Sequence, residues 1–126
     1  MPETLFNPAK KRMSFCIYSD TMKVMNVFQS TEEFDKWVRN LKDRVAKARI
    51  FIRIDAATLG NFGECESVGE GVSEMKIHVG PGYRVYFTRI GTVVYMLLAG
   101  GDKSTQKKDI KRAIELARGL AKGDER

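Results

Sequence analysis

A chain of 126 residues is one domain, long enough to bury a core. With 43% hydrophobic and 30% charged residues it is composed like a globular protein, and no apolar run approaches the roughly 18–20 residues of a membrane-spanning helix. Its net charge of +6 suits a nucleic acid or an acidic protein as partner, while two cysteines (Cys16 and Cys65) and one histidine make no zinc set and read as reduced thiols of a cytosolic protein.

Residues 1–21 hold Pro2, Pro8 and the run Lys10-Lys11-Arg12, and show no period. They read as a loosely ordered extension. The apolar stretch Met13–Tyr18 is broken by Ser14, which argues against a signal peptide. The compact pattern starts near Met22, so residues 22–126 are expected to form the domain. A short strand is expected from about Lys23 to Phe28. Ser30-Thr31-Glu32-Glu33 reads as a capping box with Ser30 as N-cap. Phe34, Trp37, Val38 and Leu41 then give one helical stripe. Asp43 can cap a second helix to about Leu59, stopped by Gly60-Asn61.

The period then changes. Gly60 to Gly71 suits a loop with a short strand near Ser67. From Ser73 the chain alternates, with Met75, Ile77 and Val79 on one face and Glu74, Lys76 and His78 on the other. Gly80-Pro81-Gly82 makes a turn. On the return strand Tyr83, Val85 and Phe87 oppose Arg84, Tyr86 and Thr88. Thr92 to Ala99 is apolar on both faces, as in an interior strand. Ser104 or Thr105 can cap a last helix with the stripe Ile110, Ala113, Ile114, Ala117 and Leu120. The expected fold is α+β: a mainly antiparallel sheet with two N-terminal helices and one C-terminal helix, in the order β-α-α-β-β-β-α.

If Met75 and Val85 face the core, Glu74, Lys76 and His78 share the opposite, open face with Arg84 and Tyr86, and Lys103 reaches the same rim. Such a face holds the parts for RNA cleavage without a metal. Arg84 offers a planar fork for a phosphate, and Tyr86 a stacking or hydrogen-bonding group. His78, or Lys76 if its pKa is depressed by Arg84, would move protons. The plainer reading is a solvated sheet face that binds an anionic partner or nothing. No metal-ligand cluster, nucleophile elbow or phosphate loop appears in the sequence, which counts against metal-dependent nucleases and nucleotide-triphosphate enzymes.

Several short motifs in order resemble the RelE/ParE superfamily of toxins from bacterial type II toxin–antitoxin modules. The closest similarity is to the HigB-like, phage-derived addiction module killer branch. They are Phe34-Asp35-Lys36-Trp37, Leu41-Lys42-Asp43, Ala48-Arg49-Ile50, Leu59-Gly60-Asn61-Phe62-Gly63, Gly69-Glu70-Gly71-Val72-Ser73-Glu74, Gly80-Pro81-Gly82-Tyr83-Arg84-Val85-Tyr86 and Gly100-Gly101-Asp102-Lys103-Ser104, with Gln106 and Asp109-Ile110. The resemblance covers about Met22 to Leu116. It implies a RelE-like fold and a cytoplasmic toxin that cuts translated mRNA at the ribosome and is held inactive by a cognate antitoxin, an acidic and helical protein encoded next to it. No cofactor is implied. The family's basic positions fall on Lys76, Arg84 and Lys103, with His78 and Tyr86 as further catalytic candidates. Arg49, Arg53, Lys107 and Lys108 would hold the RNA backbone. The C-terminal tyrosine or histidine of many ribosome-dependent members has no counterpart from Lys103 to Arg126. ParE members use the same fold to inhibit DNA gyrase without cutting RNA, and an inactive domain that binds RNA or antitoxin is a third reading.

Overall fold

A computed structural model describes residues 25–123; the expected extension at 1–21 lies outside them. Within that span, strand β1 (Val27–Ser30) is followed by helices α1 (Glu32–Arg39) and α2 (Arg44–Thr58). Strands β2 (Cys65–Gly69), β3 (Val72–Ile77), β4 (Tyr83–Arg89) and β5 (Val94–Asp102) come next. A 3-10 turn at Lys103–Thr105 leads into α3 (Gln106–Gly123). The class is α+β with three helices, as expected, but four strands rather than three follow the second helix. The short strand near Ser67 is a full member of the sheet: its tight turn at Glu70-Gly71, both residues at positive φ, folds it back onto β3.

The strand order is β1-β5-β4-β3-β2, antiparallel throughout except that β1 runs parallel to β5. Helices cover both faces. On one, Phe34 and Val38 of α1 and Ile50, Ile54 and Ala57 of α2 pack on Phe28, Met75, Ile77, Val85, Phe87 and Leu97. On the other, α3 lays Ala113, Ile110, Ile114, Ala117 and Leu120 over Val72, Tyr86 and Leu98. The face that carries Glu74, Arg84 and Tyr86 is therefore not open. The stripe of α3 is apolar, and it needs the sheet as much as the sheet needs cover.

One cap differs from the sequence reading. Ser30 still belongs to β1, paired with Leu97, and its hydroxyl donates to Asp35. Thr31 has the extended backbone of an N-cap, and its hydroxyl accepts from the Phe34 amide. It also donates to the Leu98 carbonyl at 2.7 Å. That carbonyl belongs to a bulge: Tyr86 pairs with Ala99 and Phe87 with Leu97, so Leu98 has no partner on β4. Ahead of the last helix, Asp102 caps the 3-10 turn Lys103–Thr105, accepting from the Ser104 amide. Asp43 caps α2 as expected, accepting from the Ala46 amide.

Candidate functional site

The bulge sets which side each residue of the glycine pair presents. Gly100 pairs with Val85 and Gly101 with Arg84. A methyl on Gly100 would run into the indole of Trp37, which lies on the α1 side. A methyl on Gly101 would run into the carboxylate of Asp109, which lies on the α3 side and accepts from Thr105. The two glycines admit an indole and a carboxylate to opposite faces of one strand end.

Lys76 of β3, Arg84 of β4 and Gly101 of β5 form one row across the sheet. One step beyond it lies the β3–β4 turn. A Cβ on Gly82 would sit 3.4 Å from Arg84 Nη1 and 3.6 Å from the Lys103 Cβ. The turn also rests on the start of α2, where the Asp43 carboxylate lies beside Gly80. A hydrogen bond joins Asp43 to Tyr83, whose phenol is held above its ordinary pKa by burial first and by Asp43 next. The segments carrying Lys42, Arg44, Arg84, Lys103, Lys107 and Lys108 thus converge on one end of the molecule.

Arg84 retains only 8% side-chain exposure. Its Nη1 donates to the carbonyls of Gly82 (3.2 Å) and Tyr83 (3.3 Å). Its Nε is 3.8 Å from Glu74 Oε2. Among the described residues, this Nε is the buried side-chain nitrogen or oxygen without a hydrogen-bond partner. Glu74 is itself buried, and its Oε2 accepts from the Tyr86 hydroxyl at 2.9 Å and the Gln106 amide at 2.7 Å.

The remaining predicted residues divide sharply. Tyr86 is fully buried, so it is no stacking platform. Burial, and then the Glu74 carboxylate, hold its phenol well above the ordinary pKa, and its hydroxyl is already given to Glu74. Lys76 is not depressed by Arg84. Its ammonium is bound by Glu66 at 2.6 Å, which raises its pKa and draws it toward β2. His78 lies past the end of β3, exposed, with Nε2 2.7 Å from Glu64 Oε1. That contact lowers the pKa of Glu64.

Arg53 spends its donors inside the fold. It donates to the Lys76 carbonyl and to the carbonyls of Phe62 (3.1 Å) and Glu64 (3.3 Å), tying α2 to β3 and to the loop before β2. Gly63 leaves room for it, since a Cβ there would sit 2.7 Å from Arg53 Nη2. Arg49, Lys103, Lys107 and Lys108 are exposed. Glu74 was already legible in the sequence as a partner for Lys76 or Arg84, but its bonds to Tyr86 and Gln106 were not, nor was the packing of Asp109 and Trp37 against the glycine pair. A carboxylate at an alternation position opposite Tyr86 was the signal for those bonds, and the glycine pair was the signal for that packing.

No known protein-family model matches the chain. Over 92 residues, 73% of its length, it is 49% identical to an uncharacterized protein of Haemophilus influenzae, 93% of which is covered. The chain belongs to the family of that protein. The aligned share is long enough to span a domain of the size described, so the relative is similar across almost its whole length. Among the described residues no His, Cys, Asp and Glu side chains gather in threes as a metal centre requires, and no helix is long and apolar enough to cross a membrane.

Proposed function

We propose that the protein is the toxin of a type II toxin–antitoxin module with a RelE-like fold, acting in the cytoplasm as a metal-independent mRNA endonuclease on the ribosome. The observation that carries this reading is the meeting of Arg84 and Lys103 at Gly82, on the basic end of the sheet. A phosphate seated there would meet the Arg84 guanidinium and backbone of the turn, with the exposed Lys103 side chain rooted beside it. In the transition state of 2′-hydroxyl attack the phosphorus gains negative charge, and a fixed cation stabilises that charge more than the ground state. Exposed Lys107 and Lys108, one turn further on, would follow the RNA backbone. The antitoxin is an acidic, helical protein that meets the same end, since opposite charge speeds capture.

The buried state of Tyr86 favours a second reading. A face without an accessible phenol, next to a lysine neutralised by Glu66, suits a protein-binding inhibitor of the ParE type, which needs cations but no proton transfer. One experiment separates them. The full chain is induced in bacteria, mRNA 5′ ends are mapped, and plasmid supercoiling is followed in the same cultures. New 5′ ends within translated messages support the endonuclease. Altered supercoiling without them supports the gyrase inhibitor. Growth unaffected by an intact, folded product removes both.

A further inference from the structure

Glu74 occupies a position where the small core under α3 would accept an apolar residue. It is 1% exposed, beside Val72, Tyr86 and Leu98. A buried carboxylate is costly unless several donors meet it. Here two donors, one from β4 and one from α3, meet the same oxygen, and a second side chain of β4 approaches it. Tyr86 of β4 and Gln106, the first residue of α3, donate to Oε2, and both are neutral. Arg84 Nε approaches the same oxygen to 3.8 Å, an ion-pair distance beyond hydrogen-bond reach, and has no hydrogen-bond partner. The guanidinium is held at its other edge by the carbonyls of Gly82 and Tyr83. One edge of Arg84 thus faces a fixed anion and the other faces the turn beside Lys103.

We propose that Glu74 is a positioning residue for Arg84: locked by Tyr86 and Gln106, its carboxylate sets the plane of the guanidinium that meets an anion at the basic end. The neutral donors leave the charge of Glu74 directed at Arg84, and a planar fork gains from being aligned before its ligand arrives. The anion role of Arg84 rests on the proposed function, whereas its alignment by Glu74 does not.

The test follows the Arg84 Nε–Hε signal by 15N NMR in the full-length protein, with inorganic phosphate as probe. Glu74→Gln keeps an oxygen for Tyr86 and Gln106 and removes only the charge. In that variant the Arg84 Hε should shift and exchange with water on the order of tenfold faster, the effect of losing a charged partner. Phosphate should bind at Arg84 on the order of tenfold more weakly. Glu74→Asp should restore part of both. The amides of Val72, Leu98 and Ala113 should keep their shifts, which a merely structural role for Glu74 would not allow. An Arg84 Hε unchanged in shift and exchange in folded Glu74→Gln overturns the proposal. If phosphate leaves the wild-type Arg84 unmoved while Glu74→Gln still alters its Hε, the positioning role stands and the anion role falls. Should Glu74→Gln fail to fold, Gln106→Ala frees the same oxygen from α3, and an Arg84 Hε indifferent to that change is equally fatal.

Discussion

At the scale of single residues, the side chains differ in what they are free to do. Arg84 is the group on which the proposed chemistry turns. Arg84→Ala should lower RNA cleavage by about 100-fold, the usual effect of removing one transition-state donor, and lysine should restore only part because it lacks the bidentate fork. A primer-extension assay on translated message would measure both. Tyr86 works in the opposite sense. Tyr86→Phe strips one of two neutral donors from a buried carboxylate, so it should destabilise the fold by about 1–3 kcal/mol in urea unfolding. The positions of these residues were legible in the sequence, since alternation put Glu74, Arg84 and Tyr86 on one face, where they are. Their freedom was not. A period of two tells which side a residue takes, but not whether a helix 18 residues long, joined by a three-residue turn, folds back over that side.

At the scale of elements, caps and clamps decide how the pieces meet. Thr31 joins three of them: it ends β1, starts α1, and takes the carbonyl that the bulge in β5 leaves free. Thr31→Ala should cost about 1–2 kcal/mol, whereas Ser30→Ala should cost less, because Ser30 is not the cap. Chemical denaturation of the pair checks the order. The sequence offered both hydroxyls side by side, and only the strand register chose between them. The start of α3 is sensitive to acid. Hydrogen bonds from Ser104 lower the pKa of Asp102 below its unfolded value. Such a group contributes stability that is present above the unfolded pKa of about 3.9 and is lost as pH falls through the folded pKa. Protection of the Ser104 and Thr105 amides, relative to their intrinsic exchange rates, should therefore fall as pH drops below about 4, and Asp102→Asn should flatten that dependence.

At the scale of the whole molecule, charge and packing meet at one end. The chain carries +6 overall, and the segments at the β3–β4 turn, the start of α2 and the start of α3 bring basic side chains together there. Binding of RNA or of an acidic partner should weaken steeply with salt, since each phosphate contact releases a counterion. Filter binding of a short RNA between 50 and 200 mM salt would show a slope reduced by roughly one unit on Lys103→Ala, the value for one lost contact. The opposite end should respond little. There Arg118 is paired with Glu70 at the β2–β3 turn.

Trp37, the only tryptophan of the chain, lies against Gly100 at this same end, edge-on to Tyr83 at 6.3 Å between ring centroids. The protein thus carries a built-in optical gauge. Its ultraviolet emission reads one spot, where helix α1, strand β5 and the β3–β4 turn touch. Tyr83 is close enough to pass absorbed light to the indole, so the tyrosine share of the tryptophan excitation spectrum should fall in Tyr83→Phe. A ligand that shifts the turn changes the colour of that emission before the fold gives way, and a denaturant changes it afterwards. Gly100→Ala would dislodge the indole, so it should dim the gauge and weaken the fold together.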